Sequence, residues 1–333
     1  MHPMRRGLMR LTPSRRRLDA DHADQLRKLT AEVEHYRREA ACRQMIGNVI
    51  ARYFIKGERT PDIAIPFEAV IVDSNPLWVP GLLDRRELTE PEFAVFRFFN
   101  GNMGTILDLG ANFGYSAATI WASGSTCSIL SFEPNPWHVP CLQQIKEMRA
   151  GRFDFVTLGL GNRDDSIRFV VPVIEGVGIS GLVSAAIESE MDWAIPENLI
   201  QYVFEYVPSV KSPHLQFAEV VWKIRPLDAA LPSRCFDVAL DKIAAIKLDV
   251  DGFEAEVIEG AIETLRHHLP VLMIEGANRI PGVMGQLIPL GYRYADFQDE
   301  RLTLMNHQSL RTNGFYLHES KLDLYRQVGM LTN

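Results

Sequence analysis

Two short stretches carry residue types that could do chemistry. In IKLDVDGFEAEVIEGA, residues 246 to 261, an apolar run suited to a buried strand ends in Asp249, Asp251 and Glu254, and an amphipathic helix follows at once. A carboxylate at the outer end of a core strand can orient a substrate hydroxyl or take its proton. Asp249 is assigned that role, with Asp251 secondary. Lys247 stands two residues earlier on the same strand face, where it would hold Asp249 ionised, so the pair also reads as a structural one. Asp251 and Glu254 have the D-x-x-E spacing of a capping box, and both could serve only to start the helix. Glu275 closes another apolar run, PVLMIE, at the same edge. Clustered oxygens suit Mg²⁺, but two or three acids at a strand end do not define a metal site, and no metal ligand is assigned. His138, His214, His307 and His318 lie in segments that could reach such a site, and none of the nine histidines is assigned to it.

The second stretch is DLGANFGYS, residues 108 to 116, where a strand turns into a helix through Gly110 and Gly114. Glycine at such a turn lets backbone approach a ligand closely. Twenty-three positions after Gly110 the next strand ends in FEPNP, where Glu133 is placed to accept hydrogen bonds from two ribose hydroxyls. Together these describe a nucleoside crevice. A dinucleotide fingerprint starting at Gly110 would need glycine at 112 and 115, and the chain has Asn112 and Tyr115. Asp108 would repel a phosphate and suits an amino group. An adenosine bearing an ammonium and a sulfonium fits these residues, which selects S-adenosylmethionine as the cofactor. Methyl transfer from a sulfonium is an in-line displacement, so the enzyme must chiefly align the acceptor and exclude water.

Several elements must position these residues. TILDLG, SILSFE, FDFVTLGL, IAAIKLDV and PVLMIEG are near-continuous apolar strands, with helical patterns YSAATIWAS and PCLQQIKEMR between the first three. They predict an α/β fold with a mostly parallel sheet covered on both faces. Ahead of the first strand, RRELTEPEFAVFRFFNG predicts a helix: Thr89 and Glu92 have capping-box spacing, Pro91 sits in the first turn, and Phe93, Phe96 and Phe99 follow at helical spacing. Residues 173 to 217 interrupt the rhythm, opening on Gly176, Gly178 and Gly181 and carrying Trp193, Tyr202, Phe204 and Tyr206. This insert is either a lid over the crevice or a helix pair with its own small core.

The domain plan is a basic helical extension over 1–57, a lead-in segment over 58–104 and the main domain over 105–320. Leu26, Leu29, Val33, Tyr36 and Ala40 form a short heptad seam that either pairs two chains into a homodimer or docks on the main domain. Residues 1–57 hold 13 Lys/Arg against 6 Asp/Glu, a net of +7; with the whole chain at −7, the remainder carries −14. An acidic main domain speaks against nucleic acid and for a small or neutral acceptor. No apolar run is long enough to cross a bilayer, and no apolar stretch follows the N-terminal arginines as a secretory signal requires. Cys42, Cys127, Cys141 and Cys235 are scattered without a C-x-x-C pair, so neither a zinc site nor a disulfide framework is expected, and a cytoplasmic home is.

DLGANFGYS, FEPNP, LDAAL at 227 to 231, IKLDVDGFEAEVIEGA and PVLMIE closely resemble, in order and spacing, the FkbM-type methyltransferases, over roughly residues 105 to 276. The resemblance implies a class I S-adenosylmethionine-dependent methyltransferase, Rossmann-like, with a seven-stranded sheet whose last strand is antiparallel. It also implies transfer to a hydroxyl of a sugar, glycan or natural product. By the family's pattern, Asp108, Gly110, Asn112, Gly114, Glu133 and Asn135 carry over as cofactor contacts, with Gly161 and Asn162 toward the adenine side. Asp251 stands where the family often has Glu, and the insert and basic arm exceed the family minimum, so the acceptor is not carried over. Two other readings compete: a nicotinamide-dependent dehydrogenase, and a non-catalytic methyltransferase-like scaffold acting through its N-terminal helix.

Overall fold

The structure, a computed structural model, describes residues 76–332 except 87, 89, 175–176, 179–183, 186, 190–191, 195–214, 234, 251, 277–281 and 307–312. The heptad seam, Thr89, Gly176, Gly181, Tyr202, Phe204, Tyr206, His214, His307 and Asp251 therefore lie outside the described residues.

The main sheet contains β1 (Thr105–Leu109), β2 (Ile129–Phe132), β3 (Phe153–Val156), β4 (Ile243–Leu248), β5 (Val271–Glu275), β6 (Tyr292–Gln298), β7 (Arg301–Leu304) and β8 (Asn313–His318). Their spatial order is β7-β6-β8-β5-β4-β1-β2-β3. The five strands from β3 to β5 are mutually parallel, while β8 runs antiparallel to both β5 and β6. This is the expected fold with one addition: the sheet has eight strands rather than seven. The extra strand, β7, returns from β6 through Asp299 and Glu300, both at positive φ (46° and 63°), the backbone that a tight two-residue hairpin demands.

Side chains alternate across the sheet, and the alternation places the site. Ile106, Ile129, Ala245 and Met273 face one core, with Phe93, Phe96, Phe99 and the helices Tyr115–Ala122 and Val139–Met148. Leu107, Leu130, Ile246 and Leu272 face the other, under the helices Glu254–Glu259 and Ile262–His268. Two residues further along, the first face turns polar: Asp108, Ser131 and Lys247 stand where an apolar pattern would continue.

The helix expected before β1 is instead a 3-10 run, Pro91–Phe98, whose N-cap is Glu90 rather than Thr89. Phe93, Phe96 and Phe99 recur every third residue, the period of a 3-10 helix, and their rings meet at 5.7 and 6.0 Å. The expected insert begins inside a second sheet. Asp165–Ile174 pairs antiparallel with Leu215–Arg225, so the boundaries at 173 and 217 fall within a ribbon rather than at its ends. The ribbon is tied to the main domain by aromatic packing: Trp222 lies 4.5 Å from Phe169 and meets Trp137 edge-on at 6.1 Å. Among the described residues no helix is long and apolar enough to cross a membrane.

The two glycines of the β1 turn serve different ends. Gly110 has φ 82°, and a Cβ there would stand 1.7 Å from the Asp249 carbonyl oxygen, because the tip of β4 presses against the turn. Gly114 has φ 97°, but its added Cβ would meet only the flexible end of Ile145, at 2.1 Å. Gly110→Ala should therefore destabilise by about 3 kcal/mol or more, since rigid backbone must move. Gly114→Ala should lose only about 1–2 kcal/mol. Denaturant midpoints of the two variants measure this directly; equal losses would contradict the packing described.

Candidate active site

The site is two polar layers on one face of the sheet. In the lower layer Asp108 is paired in register with Ser131 on β2 and Lys247 on β4. Asp108 is fully buried; Ser116, from the first turn of the helix after the glycine turn, donates to both its carboxylate oxygens at 2.7 Å, and Ser131 donates to one at 3.0 Å. The Lys247 Nζ is 3.8 Å away. Burial raises the Asp108 pKa although Lys247 and both hydroxyls pull it down.

Above this layer the Lys247 ammonium donates to the Gly110 carbonyl at 2.9 Å and pairs with Asp249 at 3.1 Å. Burial alone would lower the lysine's pKa, but the charges of Asp249 and Asp108 outweigh it and the ammonium is held well above its ordinary range. Asp249 shows the converse: burial opposes its ionisation, Lys247 favours it, and the net pKa is lowered. Its side chain also hydrogen-bonds Glu275, the last residue of β5, and remains one-third exposed at 33%. Glu275 is pushed up to about 8, first by burial, then by the Asp249 charge and hydrogen bond. Opposite Glu275 in the ladder sits Asn313, whose amide donates to Glu90 at 3.0 Å, and the Glu90 charge raises Glu275 further.

At the other side of the turn, Glu133 is gripped through both oxygens. The Asn112 N–H donates to one at 2.7 Å and the Asn135 N–H to the other at 2.8 Å. Burial still pushes its pKa up to about 7. Asn112 can serve because it adopts φ 50°, a left-handed backbone that asparagine tolerates, with its own side chain accepting from the Phe113 N–H at 2.8 Å. Every amide of the turn is thereby satisfied internally: Gly110 and Ala111 donate to the Phe132 carbonyl and Gly114 to that of Ala111.

Asp108, Gly110, Asn112, Glu133 and Asp249 thus come together around one turn. Other expected positions differ in what they do. Gly114 makes room for Ile145, and the Asn135 side chain caps the Pro136–His138 turn by accepting from the Trp137 N–H at 3.0 Å. Gly161 packs on Ile224 and Gly260, and Asn162 donates to Glu259 at 2.9 Å, on the helix Glu254–Glu259. That helix has Phe253 as its N-cap, so the D-x-x-E register is not the one used. Glu254 instead reaches back to the N–H groups of Val250 and Gly252, at 3.0 and 3.4 Å, and fixes the loop after Asp249. His138 is buried beside Asn135 with its pKa lowered to about 3, and His318 caps the turn Glu319–Lys321.

Sequence patterns missed Ser116, Ser131, Glu90 and Asn313. The first two are polar residues in otherwise apolar elements flanking Asp108, a signal that alternation alone could have raised. Glu90 and Asn313 are 223 positions apart, and nothing local links them.

The donor set suits a cofactor with cationic groups: Asp108, Glu133 and Asp249 surround the turn against the single ammonium of Lys247, and each Glu133 oxygen keeps a lone pair for a hydroxyl. Among the described residues no group of three or more His, Cys, Asp or Glu side chains is arranged to hold a metal ion.

No curated protein matches the chain in sequence. Solved structures similar to it include the methyltransferase FkbM from Methylobacillus flagellatus KT, at 15% identity and TM-score 0.39, covering 72% of this chain and 58% of that one. Another is the precorrin-6y C5,15-methyltransferase from Geobacter metallireducens GS-15, at 11% identity and TM-score 0.30, covering 68% and 83%. The chain thus spans little more than half the length of the Methylobacillus protein. Residues 108–294, more than half of the chain and the whole stretch from Asp108 through β5, match the methyltransferase FkbM domain, and the protein belongs to that methyltransferase family.

Proposed function

We propose that this methyltransferase uses S-adenosylmethionine and methylates a hydroxyl on a small-molecule or glycan acceptor. When bound, the cofactor supplies a methyl group on a positively charged sulfur. The observation that carries the cofactor reading is Glu133: a carboxylate fixed by two backbone N–H groups at 2.7 and 2.8 Å, beside a turn that presents no spare amide. A dinucleotide's pyrophosphate is held by free N–H groups at such a turn, and here all five amides from Gly110 to Gly114 are spent, which weighs against the dehydrogenase reading. Glu133 holds ribose hydroxyls, Asp108 and Lys247 fix the floor of the site, and Asp249 orients the acceptor hydroxyl and receives its proton as the methyl group moves. Lys247 keeps Asp249 anionic and aligned, so its structural pairing and its proposed role coexist. The exposed third of Asp249 and the partly buried Glu275 beside it also favour an enzyme over a scaffold, since a retired site has no need of a half-open carboxyl pair.

Calorimetry should show binding of S-adenosylmethionine and S-adenosylhomocysteine but not NAD; binding of NAD alone would overturn the cofactor assignment. Glu133→Ala should weaken S-adenosylhomocysteine by about tenfold or more, as expected for two lost hydrogen bonds to a charged group. Because hydroxyl donors favour ionised Glu133, S-adenosylhomocysteine affinity should rise with pH through about 7 in the wild type and stay flat there in Glu133→Gln. Against a panel of sugar and glycan acceptors with labelled methyl donor, Asp249→Asn should keep cofactor affinity within a few fold and reduce methyl transfer by about a hundredfold. Undiminished transfer would remove Asp249 from the reaction.

A further inference from the structure

Asp249 and Glu275 follow the paired residues Leu248 and Ile274 at the ends of the neighbouring parallel strands β4 and β5, so their side chains stand side by side on the face that carries Lys247, and of the two only Asp249 has a salt bridge among the described residues. Lys247 lies directly against Asp249, at 3.1 Å. Glu275 faces Asp249 on one side and Glu90, held by Asn313, on the other. The described charged groups around Glu275 are therefore Asp249 and Glu90, both repelling a second negative charge, and the more distant Lys247, which attracts one. Two carboxyls in hydrogen-bond contact under these conditions share one proton.

We propose that Glu275 is a further catalytic residue, and that the Asp249–Glu275 pair stores a proton in the resting enzyme and releases it to solvent when a sulfonium stands beside it. The inference rests on the cofactor reading above. Its charge balance is simple. A positive charge next to the pair replaces the stored proton, leaving two carboxylates. The pair then takes the hydroxyl proton of the acceptor while the oxygen–carbon bond forms and the carbon–sulfur bond breaks. The sulfur leaves neutral, and the pair holds one proton again, as at the start. Both carboxyls are thus ionised only while the methyl donor is present, and the pair's proton affinity returns as the sulfur becomes neutral.

The neutral product lacks the sulfonium, so the two ligands should differ in proton release even without an acceptor. Titration calorimetry of the intact protein near pH 7, in buffers of low and high ionisation enthalpy, counts those protons. S-adenosylmethionine should release more than S-adenosylhomocysteine, by roughly half to one proton per site. Any contribution from Glu133 is common to both ligands and cancels. Glu275→Gln should abolish the excess while S-adenosylmethionine still binds. Glu90→Gln removes a repelling charge, so the pH midpoint of the excess should move downward; this variant decides the matter should Glu275→Gln fail to fold. Equal release by both ligands, an excess that survives Glu275→Gln, or a midpoint unmoved by Glu90→Gln would overturn the inference while leaving the cofactor reading intact. Binding of neither ligand would instead overturn the cofactor reading and this inference with it.

Discussion

The site is organised by the Lys247 ammonium in the core. Taking an ammonium out of water costs several kcal/mol unless good partners replace the lost hydration. Lys247 has the Gly110 carbonyl at 2.9 Å and Asp249 at 3.1 Å in direct contact, and the charge of Asp108 at 3.8 Å. Those partners come from the end of β1, from the turn beyond it and from the loop after β4. One side chain therefore fixes the distance between the glycine turn and the acid edge, the two walls that a nucleoside and an acceptor would occupy. Asp108 contributes the counter-charge from below, and needs Ser116 and Ser131 because Lys247 is nearer to Asp249 than to it.

The glycine turn completes this frame by closing on itself. β4 presses its Asp249 carbonyl against Gly110, and the turn's amides point back to Phe132, Asn112 and Glu133. A turn that spends its N–H groups this way has no anion cradle to offer. It keeps the rigid carboxylate of Glu133 beside it, so the bend retains a place for hydroxyl donors while lacking one for a pyrophosphate.

Much of this was legible in the sequence because it follows from alternation and turn chemistry. The five parallel strands, the Gly110 bend, Glu133 at the end of β2 and the shared face of Lys247 and Asp249 all depend on residues close together in the chain. What escaped depends on long-range packing. The 3-10 run looked like a helix because a period of three and one of 3.6 differ little over eight residues. That Gly114 also makes room for Ile145 in another helix is not readable from the turn's own sequence. Likewise the cap that the Asn135 side chain gives the next turn, and the hold of its backbone N–H on Glu133, appear only in the fold. Glu90 and Asn313 meet only because β8 inserts antiparallel beside β5, which no local pattern announces.

The most direct measurement of this account is a double-mutant cycle on stability between Lys247 and Asp108, by chemical denaturation. Lys247→Met alone should cost about 3–5 kcal/mol by stranding buried carboxylates, and Asp108→Asn in the same background should recover a sizeable part of that loss. Additive losses, or a Lys247→Met protein as stable as the wild type, would show that the ammonium is not what binds the turn to the acid edge.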